Sequence, residues 1–140
     1  MGLAVAYRPI VKRTEEQDLH RAVVELLTWA AVKGLVWYHV PNGELRPGRT
    51  GAILAGMGIR PGVADFALVL PGGRAAYLEL KSRKGRLSPA QEEFRAACLA
   101  AGALYEVARS SDEAIEVLRG WGGPHLGESQ AVRKSSRRRG

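Results

Sequence analysis

The chain has 140 residues, 46% hydrophobic and 25% charged, which suits one globular domain able to bury a core without disulfides or a structural metal. Lys and Arg number 21 against 14 Asp and Glu, a net charge of +7, and that excess points to a polyanionic partner, most simply nucleic acid. A single Cys98 and three scattered histidines (His20, His39, His125) exclude an intrachain disulfide and zinc-finger spacing, and no apolar run approaches the ~20 residues of a membrane span, so a soluble cytoplasmic protein is expected.

Thr14-Glu15-Glu16-Gln17 reads as a capping box, and the apolar residues Leu19, Val23, Leu26 and Ala30 follow at helical spacing until Gly34. Glu16, His20, Val23 and Leu27 form a second stripe beside that one, so Glu16 can face inward at the helix end. Leu35–Val40 alternates in the manner of a strand. Residues 41–62 contain six Gly and three Pro, and read as a long loop with one helical turn around Ala52–Met57. Two strands, Ala64–Leu70 and Arg74–Lys81, flank the turn Pro71-Gly72-Gly73.

Ser88-Pro89-Ala90-Gln91 then carries a cap, a proline at the first helical position and a capping-box glutamine. The helix it opens should bury Phe94, Ala97, Cys98 and Ala101 and stop at Gly102. A strand over Ala103–Arg109 and a helix capped at Ser110–Asp112, carrying Ile115 and Leu118 and closing at Gly120, complete the order. The crossover through the 88–101 helix favours a parallel strand after it, hence an α/β fold with a mixed sheet. Five basic residues (Arg133, Lys134, Arg137, Arg138, Arg139) and one acid, Glu128, fall in residues 121–140, which read as a disordered basic tail to a domain over 1–120.

The hairpin concentrates the chemistry. A three-residue loop at 71–73 sets Leu70 opposite Arg74 and therefore Asp65 opposite Glu79, on one face of the sheet with Lys81, whereas a two-residue turn would set Asp65 opposite Leu80. Two opposed carboxylates repel, and a hard divalent cation such as Mg²⁺ removes that cost. Lys81 adds a point charge suited to a developing oxyanion or to holding a water. An exposed sheet face carrying ordinary surface charge is the competing reading of the same residues. Gly56-Met57-Gly58-Ile59-Arg60-Pro61-Gly62 has one residue too many for a dinucleotide-binding loop and neither follows a strand nor opens a helix.

Gly62-Val63-Ala64-Asp65 followed by Glu79-Leu80-Lys81 resembles the D…ExK signature of the PD-(D/E)XK nucleases, and more narrowly their VRR-NUC (virus-type replication-repair nuclease) branch. Pro41-Asn42, Gly58…Gly62, Leu87-Ser88-Pro89-Ala90-Gln91 and Gly102 match the same branch, so the similarity spans about Glu16–Leu118. Ala64 departs from it, since the signature carries proline there; no ligand is lost by the exchange.

The resemblance implies a restriction-endonuclease-like core, a central mixed β-sheet flanked by helices. It also implies a Mg²⁺- or Mn²⁺-dependent DNA endonuclease leaving 5′-phosphate and 3′-hydroxyl ends. Asp65, Glu79 and the Leu80 carbonyl would hold the metal, with Glu16 completing its shell and Glu15 the alternative. Lys81 would orient the attacking water, and Gln91 would stand near the scissile phosphate, although capping alone also accounts for it. Arg46, Arg49, Arg60, Arg83, Lys84 and Arg86 flank this site in sequence as phosphate contacts, with Asn42 beside them. Minimal members of the branch suggest a branched substrate such as a Holliday junction, cut by a homodimer. His20 and His39 read as structural or peripheral. A catalytically silent nucleic-acid-binding module, or the same chemistry on RNA, is the alternative function.

Overall fold

The computed structural model describes residues 14–30, 34–41 and 49–122. Within them the chain runs α1 (Glu15–Ala30), β1 (Val36–His39), α2 (Arg49–Gly56), β2 (Phe66–Val69), β3 (Ala75–Leu80), α3 (Pro89–Ala100), β4 (Leu104–Ala108) and α4 (Ser111–Gly120). The strands form one sheet in the order β1-β2-β3-β4. β1–β2 and β2–β3 are antiparallel and β3–β4 is parallel, because α3 carries the chain back across the sheet before β4 begins. The expected α/β class with a mixed, helix-flanked sheet is what the chain adopts.

Local chemistry sets the boundaries. At the start of α1 the Thr14 amide donates to Gln17 Oε1 at 2.9 Å and the Gln17 amide donates to Thr14 Oγ1 at 3.2 Å, the reciprocal pair expected of a capping box. Ser88 and Gln91 repeat it at α3, with Pro89 at the first helical position. In the hairpin Phe66 pairs with Leu78 and Val69 with Ala75, the register that a turn over 71–73 predicts. The Leu70 amide closes it on the Arg74 carbonyl at 2.9 Å, and Gly72 and Gly73 supply the positive φ angles the turn needs.

Helices pack on both faces of the sheet, leaving Val36, Tyr38 and Val69 exposed. Leu19, Val23 and Leu27 of α1 and Ala114 and Leu118 of α4 pack on Phe66, Leu68, Leu78 and Leu80. On the opposite face Phe94 and Cys98 of α3 pack with Ala64 and Tyr105. Each large apolar side chain so buried contributes about 1.5–3 kcal/mol.

Three expectations are corrected. The long Gly- and Pro-containing segment forms an eight-residue helix, α2, where one turn was expected. Ala101 is exposed, because α3 ends at Ala100 and Ala101 is its C-cap, turned off the buried stripe. In α4 the buried pair is Ala114 and Leu118, one face at i, i+4 spacing, which leaves Ile115 half-buried at its border. Residues 123–140, most of the expected basic tail, lie outside the described residues.

Candidate functional site

Asp65 stands immediately before β2, between β1 and β3. Its carbonyl accepts from the Val40 amide at 2.8 Å, and its carboxylate Oδ2 accepts from the Leu80 amide at 2.8 Å. Continuing the β2–β3 register by one residue sets it against Glu79, and there the Asp65 amide donates to Glu79 Oε2 at 3.3 Å. The two acids are therefore neighbours across the strands, as the turn length requires.

Glu79 differs from the competing reading of an exposed charged face: it is 3% exposed. α3 covers this side of the sheet and closes over it. Gln91 Nε2 donates to Glu79 Oε1 at 3.0 Å, and Lys81 Nζ lies 3.7 Å from the same oxygen. Burial first, and the Asp65 charge second, push the Glu79 carboxyl up to about 8. Burial and the neighbouring acid favour the protonated form of Glu79, and a bound cation would favour the carboxylate. Two carboxylates with an adjacent backbone segment at Leu80 make a donor set of hard oxygens, which fits Mg²⁺ or Mn²⁺.

Gly62 brings α3 to this position. It adopts φ +78°, and a Cβ there would lie 2.7 Å from the Gln91 amide nitrogen and closer still to the Ala90 carbonyl. Only glycine lets the loop before Asp65 touch the first turn of α3, and that contact carries the Gln91 side chain to Glu79. Gln91 performs both of its expected tasks, since Oε1 caps the helix at the Ser88 amide while Nε2 meets Glu79.

Glu16, expected to face inward, instead lies exposed in the first turn of α1, one helical turn before His20, and its charge acts on that imidazole. Its alternative, Glu15, is engaged elsewhere: Oε1 accepts from the Arg83 amide at 3.2 Å. Arg60, Arg83, Lys84 and Arg86 are exposed, and the Arg60 guanidinium sits 5.5 Å from the centre of the Phe94 ring. Arg49 opens α2, while Asn42 and Arg46 lie outside the described residues.

Sequence reasoning set two groups aside. His20 and His39 come together beside Asp65, with ring centroids 4.4 Å apart and nearly perpendicular planes. Burial lowers the pKa of His20, and the neighbouring His39 adds to that shift. The helical stripe of Glu16 and His20 was visible in the sequence, but its meeting with His39 depends on how α1 lies on the sheet. Arg109 is the second. Its Nη1 donates to the carbonyls of Ser82 and Gly85, pinning the basic turn that carries Arg83 and Lys84. Nothing in the sequence distinguishes it from other arginines.

Comparison with known proteins follows the same lines. Residues 52–112 match the model of the VRR-NUC domain, a family of nuclease type. A solved structure described as a VRR_NUC domain protein superposes with a TM-score of 0.63 at 20% identity, covering 79% of this chain and 90% of its own. A second, described as a VRR_NUC domain, gives 0.54 at 18% identity over 76% of this chain and 97% of its own. At these identities the likeness establishes the fold. No curated protein matches the chain. Among the described residues no helix is long and apolar enough to cross a membrane.

Proposed function

We propose that the chain, whose residues 52–112 match the model of the VRR-NUC domain, is a metal-dependent DNA endonuclease of that family whose reacting centre is built from Asp65, Glu79, Lys81 and Gln91. The observation that carries this reading is the buried Glu79 carboxylate, set against Asp65 and contacted on one oxygen by both Gln91 and Lys81. A structural acid gains little from burial beside a second acid, because desolvation and repulsion both oppose it.

Each residue then has a defined task. Asp65 and Glu79 hold the cation, with the Leu80 carbonyl and Glu16 as further donors. A bound Mg²⁺ or Mn²⁺ supplies positive charge for the phosphate oxygens and acidifies water. Lys81 offsets charge on the phosphate and orients the water. Gln91 fixes one Glu79 oxygen so that the other faces Asp65. Arg60, Arg83, Lys84 and Arg86, with Asn42, Arg46 and Arg49, contact the DNA backbone without reading bases. The domain occupies residues 1–120, with a basic tail beyond it. The substrate is branched DNA such as a Holliday junction, cut symmetrically by a homodimer.

The test is cleavage by the wild-type chain with Mg²⁺ of a four-way junction, a flap and a linear duplex sharing one sequence. Cleavage that prefers the junction and disappears in Asp65→Ala and Lys81→Ala, with DNA binding kept, supports the proposal. Equal cutting of all three removes the branched-DNA element. Salt-dependent binding with no Mg²⁺-stimulated cleavage would leave a silent binding module instead.

A further inference from the structure

We propose that His20, His39 and Asp65 form a second cation site, one that takes a borderline first-row ion such as Zn²⁺ or Co²⁺. It rests on the nuclease reading only in sharing Asp65. The three side chains arrive from α1, from the last residue of β1 and from the segment before β2, and one ligand atom of each lies within 4.8 Å of the others. Two imidazole nitrogens and one carboxylate oxygen are a donor set that suits these ions; Mg²⁺ prefers oxygen alone.

The backbone orients the His39 ring. His39 Nδ1 lies 2.7 Å from the Asp65 carbonyl oxygen. A carbonyl only accepts, so Nδ1 carries the proton and the Nε2 lone pair is left for a ligand bond. A backbone carbonyl held by the far ring nitrogen is the usual support of a metal-binding histidine. Phe66, fully buried, packs under both rings, at 4.8 Å from His20 and 5.7 Å from His39. It gives both rings an apolar surface to pack on, while His39 stays exposed to solvent. The site has three protein donors, so it keeps open positions, the arrangement of reactive rather than structural ions. Glu79 belongs to the other side of Asp65, where its oxygens are bonded to Gln91 and to the Asp65 amide.

The experiment titrates the chelator-treated wild-type chain with Zn²⁺ while the imidazole ¹⁵N resonances are followed. Coordination-sized shifts of one ring nitrogen in each of His20 and His39, with His125 unmoved and with no such shift under excess Mg²⁺, support the site. Absence of those shifts overturns it. Co²⁺ supplies an independent reading: a visible absorption band that is lost in both His20→Gln and His39→Gln, each with native circular dichroism, supports the proposal, and a band that survives both overturns it. Glu79→Gln separates the two readings. A Co²⁺ band retained in that variant while Mg²⁺-dependent cleavage is lost supports both. Wild-type protein that cleaves with Mg²⁺ yet shows neither shift nor band refutes the histidine site alone, and one that binds Zn²⁺ without cleaving refutes the nuclease alone.

Discussion

Glu79→Gln should stabilise the metal-free chain in alkaline buffer and leave it nearly unchanged in acid. The folded chain holds the Glu79 proton up to about 8, whereas an unfolded carboxyl releases it near 4.5. Between those values the native state binds the extra proton, so the Glu79 contribution is complete below about 4.5 and is lost as pH rises through about 8. At ~1.4 kcal/mol per decade, that interval sets a ceiling of about 5 kcal/mol. Water reaching the half-buried Asp65 side screens part of the cost, and about 2–3 kcal/mol is expected. Glutamine keeps the shape and the acceptor for the Asp65 amide while removing the charge. Urea denaturation of chelator-treated protein at about pH 5 and about pH 8.5 measures the effect. The variant should match wild type at the first and exceed it at the second, and Mg²⁺ should restore wild type in alkaline buffer while adding nothing to the variant. A gap of equal size at both pH values would refute the reasoning, since it would owe nothing to the ionisation of Glu79.

Other outcomes follow from neighbouring contacts. Lys81→Ala should abolish Mg²⁺-dependent cleavage while gel-shift affinity for DNA is kept, because its ammonium lies 3.7 Å from the Glu79 carboxylate and, on the proposed reading, serves the reacting phosphate. Gly62→Ala should lower stability by at least about 2 kcal/mol, from its left-handed backbone and the collision with Ala90, and should reduce cleavage by displacing Gln91; thermal melting and a nuclease assay read the two effects. Tyr105→Phe should raise stability by about 1 kcal/mol in denaturant titration, because it removes a buried hydroxyl that has no hydrogen-bond partner among the described residues.

The sequence by itself determined the caps of α1 and α3 and, once a three-residue loop is taken, the hairpin register. Thr14 with Gln17, Ser88 with Gln91, and the glycines at 72 and 73 act through contacts a few residues long, so their consequences are readable without the fold. Once the turn length set Leu70 against Arg74, the two-residue repeat of a strand carried Asp65 to Glu79. Only tertiary structure decided how deeply Glu79 lies, because its burial depends on α3 docking through Gly62, a contact 28 residues along the chain from its partner at Ala90. It alone decided that His20 and His39 meet at Asp65, since α1 and β1 could each present their histidine to solvent with the same local pattern. Local rules decide which face a side chain takes on its own element; which elements share a face is settled by packing.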